Sequence, residues 1–279
     1  MTIRRNPSIT SILIYSVLCL FVLFCAFPIF YLGLTSLKPY KALYTSPPQL
    51  FLFEPTLENF KVMWEQAGYH SFLNSLIVSI GATVISLFFG VLAAYGFTMF
   101  NFSGRKFWMF LVLVTRAYPP VTTLIPVYFI IQYLGLIDTK IGLIIALVGL
   151  QTSLVIWVMR SFFATIPKEI MESVMVDGGS LWTAFFRIAL PLSMPGLVAS
   201  GVLIFVLYWN EFLMPLILTS SNVSRTVPVA ISTFLVSEEK AHWGTLSGLG
   251  LLGTIPALII LWIGGKYLVK GLTAGAVKG

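Results

Sequence analysis

Long apolar runs separated by short polar breaks set the pattern of this chain. Six runs are near the length of about 20 residues that a membrane-spanning helix needs. They lie near Ile12–Leu34, Phe72–Met99, Phe107–Ile131, Gly142–Phe162, Gly196–Leu218 and Leu249–Val269. Pro119, Pro120 and Pro126 make the third the least uniform. The pattern predicts an all-α membrane protein with six transmembrane helices, forming a single transmembrane domain over residues 1–279. The first run follows Arg4 and Arg5 as a signal peptide does. It is too long for a cleaved segment and is read as a retained anchor.

One island breaks the pattern. EIMESVMVDGGSLWTAFFRIALPL, Glu169 to Leu192, puts three acids and a glycine pair between two apolar blocks. Thr165-Ile166-Pro167 reads as a helix start, with Glu169 and Glu172 suited to the positive end of the helix dipole. Ile170, Val174, Met171 and Met175 supply apolar i,i+4 pairs. Gly178-Gly179 ends that helix, since glycine accepts the left-handed exit conformation. Ser180 caps a second short helix that places Trp182, Phe185, Phe186 and Ala189 on one face, and Pro191 and Pro195 close it.

Composition agrees with the membrane reading: 58% of residues are hydrophobic and 10% charged, against about 25% charged in soluble domains. The net charge of +7 is explained by topology. With the N-terminus inside, Arg4, Arg5, Arg105, Lys106, Arg160, Lys168, Arg187, Lys266, Lys270 and Lys278 face the cytoplasm. Lys38, Lys41, Lys61, Lys140, Arg225 and Lys240 face outward, balanced by Glu54, Glu58, Glu65, Asp138, Glu238 and Glu239. The excess of inner bases follows the orientation rule, and nucleic-acid binding is unnecessary. Six spans return the C-terminus to the cytoplasm. Loops Lys38–Ser71 and Thr219–Ser247 then lie outside and Phe163–Pro195 inside. Cys19 and Cys25 share one apolar run, and two Cys with two His give no metal-ligand spacing. His70 and His242 read as outer surface residues.

The cytoplasmic island has two readings from pattern alone: helices lying on the lipid surface, or a pair docked in a protein groove. Surface-lying helices carry Lys and Arg on their polar face, and acids beside an anionic leaflet are unfavourable. Glu169, Glu172 and Asp177 therefore favour a groove with basic residues.

The stretch IPKEIMESVMVDGGSLWTAFFRIALPLSMPGL resembles the cytoplasmic coupling loop of permease subunits in binding-protein-dependent ABC importers. That loop runs Glu-Ala-Ala, three residues, Gly, nine residues, Ile-x-Leu-Pro. Glu172, Gly178, Ile188, Leu190 and Pro191 fall at those spacings, with Asp177 before the glycine. Ser173-Val174 replaces the Ala-Ala pair, and Gly179 stands where Ala is usual. FLNSLIVSIGATVISLFFGVLAAYGF, PVYFIIQYLGLIDTKIGLII and YWNEFLMPLIL resemble the carbohydrate branch, and the tail KGLTAGAVKG is similar to the second permease subunit of maltose-type importers. The resemblance implies a multi-pass protein of the bacterial inner membrane that passes a sugar or sugar-like solute. It implies a homologous permease partner in a heterodimer, two ATP-binding subunits and an external solute-binding protein. It assigns ATPase coupling to Glu169, Glu172, Ser173, Asp177, Gly178, Gly179, Leu190 and Pro191. No Gly-Lys-Ser/Thr nucleotide loop is present, so the chain is not read as an enzyme. It is expected to bind no cofactor or metal, with ATP and Mg held by the ATPase subunits. A secondary transporter or channel, and a membrane-anchored assembly protein, are the rival classes; the first predicts titratable relays or matching broken helices.

Arg116 and Glu211 are the two charges placed well inside spans, and such residues face a bundle interior or a water-filled path. A rise of 1.5 Å per residue puts them about 14 Å and about 22 Å from the starts of their spans. Either they lock two spans together or they line the path. Trp209 and Asn210 join Glu211 as groups suited to a sugar, although consecutive positions do not share one helix face. Tyr118 also belongs to this candidate path, with Thr122 and Gln151 as weaker members. Ala82, Ser86, Gly90 and Ala94 form a small-residue stripe on which another helix can pack closely.

Overall fold

Helix is the only regular structure among the described residues, which in this computed structural model are 9–47, 49–236 and 242–276. In chain order the helices are α1 (Ile9–Ser36), α2 (Tyr40–Leu43), α3 (Glu58–Met63), α4 (Tyr69–Met99), α5 (Arg105–Ala117), α6 (Pro120–Tyr133) and α7 (Lys140–Phe163). They continue as α8 (Lys168–Val176), α9 (Leu181–Ala184), α10 (Leu190–Leu192), α11 (Met194–Trp209), α12 (Leu213–Leu218), α13 (Val227–Val236) and α14 (Trp243–Ala276). Of these, α1, α4, α7 and the Trp243–Tyr267 part of α14 are each long and apolar enough to cross a membrane, and the total reaches 6 when each of two bent helix pairs counts as one span. Arg4, Arg5, Glu238, Glu239, Lys240 and Lys278, used in the charge count, lie outside the described residues.

The expected third span is a broken one. α5 and α6 meet at 105°. Pro119 and Pro120 contribute no N–H, and Pro119 holds Tyr118 in an extended conformation (φ −72°, ψ 133°), so the ladder cannot run through. The fifth run also differs from expectation. α11 ends at Trp209, Asn210 is its C-cap, and α12 begins at Leu213. Trp209, Asn210 and Glu211 therefore occupy a helix end and a break, where the helical rise no longer measures depth. α13 is a helix in a segment read as outer loop.

The chain divides into two compact units. Residues 1–68 and 231–254 form one, and residues 69–230 and 255–279 form the other. In the first, the Asn59 side-chain amide donates to the carbonyls of Ser36 (2.8 Å) and Lys38 (2.7 Å), tying α3 to the C-terminal end of α1. The Ser36 carbonyl has no partner within α1, because a helix cannot satisfy its last turn by itself, and the Lys38 carbonyl lies just beyond the helix end. The apolar side chains of α1 are exposed along almost its whole length, as suits a helix surrounded by lipid or by other apolar helices.

The second unit is organised by α4, α7 and α11. All four residues of the stripe Ala82, Ser86, Gly90 and Ala94 are buried. A Cβ on Gly90 would lie 2.7 Å from Cβ and Cγ1 of Val155 on α7. The stripe thus packs within this chain, and glycine is required for the closest approach. A chain of hydroxyls crosses the same interface. Thr152 donates to Ser86 (3.0 Å), the Ser86 and Tyr208 oxygens are 2.7 Å apart, and Tyr208 donates to the Leu147 carbonyl (3.2 Å). The Thr152 hydroxyl also lies 2.6 Å from the Val148 carbonyl of its own helix, so its one proton is shared between that carbonyl and Ser86, while Ser86 donates to Tyr208 and Tyr208 to Leu147. The hydroxyl chain binds α4, α7 and α11 together with its three hydroxyls satisfied.

Polar staples fasten the same unit at the α6–α7 turn. Asp138, at φ 58°, accepts from the backbone N–H of Ser220 (2.9 Å) and Ser221 (3.1 Å) and from the Ser224 hydroxyl. Burial alone would raise its carboxyl. Hydrogen bonds from Ser221, Ser224 and Ser220 outweigh that and hold it well below the usual carboxylate range. The Asn74 amide donates to the carbonyls of Asn222 and Arg225, both at 3.0 Å.

Candidate coupling surface and intramembrane cavity

The polar island folds as two short helical segments around a glycine elbow. α8 starts directly after Pro167 and carries Glu169 in its first turn; Asp177 is its C-cap. Gly178 adopts φ 79°, the left-handed exit that costs an L-residue about 1–2 kcal/mol. The Gly179 N–H bonds back to the Val174 carbonyl at 2.8 Å. Ser180 and Thr183 then cap α9 reciprocally: the Ser180 hydroxyl accepts from Thr183 N–H (3.2 Å) and the Thr183 hydroxyl from Ser180 N–H (3.3 Å).

A π-helical stretch, Phe185–Ala189, follows α9 and leads into α10. The four residues expected on one face separate here. Phe185 and Ala189 are buried, whereas Trp182 and Phe186 are 61% and 58% exposed and stack on each other with centroids 5.9 Å apart. Pairs at i,i+4 stay together, and the four do not form one apolar stripe. Phe185 lies 4.8 Å from the Tyr95 ring of α4 and 6.5 Å from Phe163 of α7, while Tyr95 and Phe163 are 5.6 Å apart. This three-ring cluster joins the second segment to two membrane-spanning helices. Densely packed aromatic contacts of this kind transmit displacement and do not absorb it.

Glu169, Glu172, Ser173, Asp177 and Gly178 are exposed, with Gly179 half-buried. Leu190 is half-buried and Pro191 exposed at the end of the second segment. Glu172 also lines a cavity of about 140 Å³ with Tyr95, Met99, Met171 and Leu181. The loop therefore presents carboxylates beside exposed Met175, Val176, Leu181, Trp182 and Phe186. An acidic and aromatic surface of this type fits a groove with basic and apolar walls.

A second site lies at the α5–α6 bend. Arg116, Tyr118, Gln151 and Glu211 line one cavity of about 150 Å³, together with Thr115, Thr123 and Met214. Arg116 Nη1 donates to Gln151 Oε1 at 2.5 Å. Glu211 Oε1 accepts from the N–H groups of Leu213 (3.1 Å) and Met214 (3.3 Å), so it caps the start of α12. Arg116 and Glu211 thus share a cavity without forming an ion pair. Trp209 and Asn210 are placed elsewhere. Trp209 is 3% exposed and packs on Phe72 and Phe205 at 5.8 and 6.0 Å. The Asn210 amide donates to the Val206 carbonyl of its own helix. Thr122 hydrogen-bonds to the Pro119 carbonyl and is not among the residues lining the cavity.

Sequence pattern does not reveal the Tyr95–Phe163–Phe185 cluster or the Asp138 staple. Each joins residues far apart in sequence, and no local pattern marks the pairing. The one local signal is the hydroxyl-rich run Ser220-Ser221-Asn222-Val223-Ser224.

Residues 86–270 match a family model described as "Binding-protein-dependent transport system inner membrane component". The chain belongs to this family. It is a membrane-embedded component of a binding-protein-dependent transport system. Among its relatives is the inner membrane ABC transporter permease protein YcjP of Escherichia coli, 32% identical over 278 residues and covering 99% of both chains. The trehalose/maltose transport system permease protein MalG of Thermococcus litoralis is 31% identical over 278 residues, again with 99% of each covered. The fold matches a chain in the crystal structure of a bacterial ABC transporter involved in the import of the acidic polysaccharide alginate. The TM-score is 0.79, at 20% identity, over 96% of this chain and 99% of that one.

Proposed function

We propose that this permease crosses the membrane six times with both termini cytoplasmic, and forms half of the path through an ABC importer for a saccharide. Its other half is a homologous permease, and a solute-binding protein delivers the solute from outside. Two ATPase subunits engage the coupling loops, one on each permease. The observation that carries this reading is the glycine-elbowed loop 163–195, exposed and acidic on one side and joined to α4 and α7 through Phe185 on the other. Relatives named for trehalose, maltose and arabinooligosaccharides support the saccharide.

In this mechanism ATP closes the ATPase pair, and each closing ATPase carries its loop with it. The loop turns as a short rigid body, and the aromatic cluster passes the motion to α4 and α7. The two bundles rock and the path opens outward; hydrolysis and release restore the inward state. Glu172→Lys reverses a charge at the docking surface, and Gly178→Asp puts a side chain where φ is 79°. Both variants are expected to insert normally, to lose copurification of the ATPase, and to lose solute-stimulated ATP hydrolysis at least tenfold. Wild-type coupling in both variants would contradict the assignment.

A further inference from the structure

The cavity at the α5–α6 bend contains one cation and one carboxylate, and the structure treats them differently. Glu211 is occupied by the chain itself, since one of its oxygens receives two backbone N–H groups of α12. Arg116 is not neutralised in this way. Among the described residues it meets no carboxylate within ion-pair distance, and its hydrogen-bond partner is the neutral Gln151. A guanidinium has five N–H donors in a fixed plane. Gln151 takes Nη1 and leaves the Nε–Nη2 edge, which grips a carboxylate through two parallel hydrogen bonds.

The other lining groups suit a saccharide. The hydroxyls of Thr115 and Thr123 donate to carbonyls of their own helices, to Val112 at 2.8 Å and to Pro120 at 2.7 Å. Their oxygens remain acceptors for sugar hydroxyls. Tyr118 is exposed at the same cavity and offers an aromatic face with a hydroxyl. A cation within a membrane-spanning region is costly unless an anion or water meets it, and the acid in the same cavity, Glu211, is bonded through one oxygen to the start of α12 and makes no ion pair with Arg116.

We infer that Arg116 is a specificity-determining residue and that the solute is an anionic saccharide, one bearing a carboxylate or a sulfonate. The inference rests on the reading of this cavity as part of the solute path. The Arg116 edge holds the anionic substituent, Gln151 fixes the guanidinium plane, and Tyr118 with the threonines meets the ring.

The test uses the complete transporter in proteoliposomes with the solute-binding protein that stimulates it. Calorimetry first measures the binding protein against glucuronate, galacturonate and their disaccharides, a sulfonated glucose, and the neutral parent sugars. Uptake of the tightest solute is then compared in wild type, Arg116→Gln and Arg116→Lys. The expected result is a preference for acidic saccharides, with uptake reduced at least tenfold by Arg116→Gln and less by Arg116→Lys. Selection of neutral sugars alone would overturn the proposal, as would uptake unaffected by Arg116→Gln, while ATP-driven uptake in those cases leaves the importer reading standing. Loss of permease pairing in Arg116→Gln would instead assign the guanidinium to the subunit interface and also overturn it. Absence of any ATP-driven uptake would remove the importer reading and this inference together.

Discussion

Gly179→Ala tests the glycine elbow between α8 and α9 at the level of single atoms. Gly179 is outside the left-handed region, so alanine is not excluded by its backbone. The obstacle is steric: an added Cβ would lie 2.6 Å from Val174 Cγ1 and 2.8 Å from the Val174 carbonyl oxygen. Ordinary contacts of this kind begin near 3.4 Å, so the elbow must open by close to an ångström. Overpacking of this severity costs about 1–3 kcal/mol. Part of that is the strained Gly179–Val174 hydrogen bond, worth about 1 kcal/mol. Val174→Ala removes Cγ1 and leaves the carbonyl. In that background Gly179→Ala should cost only about 1 kcal/mol, leaving up to about 2 kcal/mol as the coupling energy between the two positions. The loop pattern that this chain resembles has Ala at both places, and here Val174 and Gly179 exchange bulk. Hydrogen exchange at residues 177–179 of the assembled transporter measures the opening. Gly179→Ala should accelerate exchange about tenfold or more, each tenfold being 1.4 kcal/mol, and the double variant should recover most of it. Equal acceleration with and without the Val174→Ala substitution would refute the steric account.

Two further predictions concern the polar contacts that hold the second unit. Tyr208→Phe leaves Ser86 without its acceptor and removes the side-chain donor to the Leu147 carbonyl; a loss of about 0.6–2 kcal/mol is expected, read as a lower melting temperature. Ser86→Ala should produce a similar loss, with the double variant much less than additive. Asp138→Asn should cost about 2 kcal/mol, since hydrogen bonds to a charged group are worth about 1.5–3 kcal/mol each and this site is only partly buried. The Asp138 carboxyl is depressed in the folded chain, so its stabilisation is fully present above the ordinary carboxylate value of about 3.9. It is lost as pH falls below that value and through the folded one. Melting curves of wild type and Asp138→Asn should therefore converge below about pH 4 and stay parallel from about pH 5 to 8. A gap that instead opens as pH falls would contradict the staple.

Much of this architecture is written in local pattern. The spans of α1, α4 and α7 follow from uninterrupted hydrocarbon, and the loop helices follow from Pro167, Gly178 and Ser180, whose caps depend on neighbours within a few residues. The stripe from Ala82 to Ala94 announces a close helix contact, but not that Val155 of the same chain makes it. The candidate path is less legible. Arg116, Tyr118, Gln151 and Glu211 stand on three separate segments, and only the bend at Pro119-Pro120 and the break after Trp209 bring them to one cavity. Trp209 shares their chemistry but packs on Phe72 and Phe205, a tertiary contact that periodicity does not encode. The split of Trp182 and Phe186 from Phe185 and Ala189 has the same origin, because burial of Phe185 is decided by Tyr95, 90 residues earlier.

The most direct test of ATP-coupled import is solute uptake into proteoliposomes prepared with this chain alone, with the permease pair, and with the complete transporter plus binding protein. Accumulation is expected only in the complete system, with ATP on the side of the coupling loop, and none without the ATPase subunits. Uptake by the purified chain alone, indifferent to ATP, would contradict it.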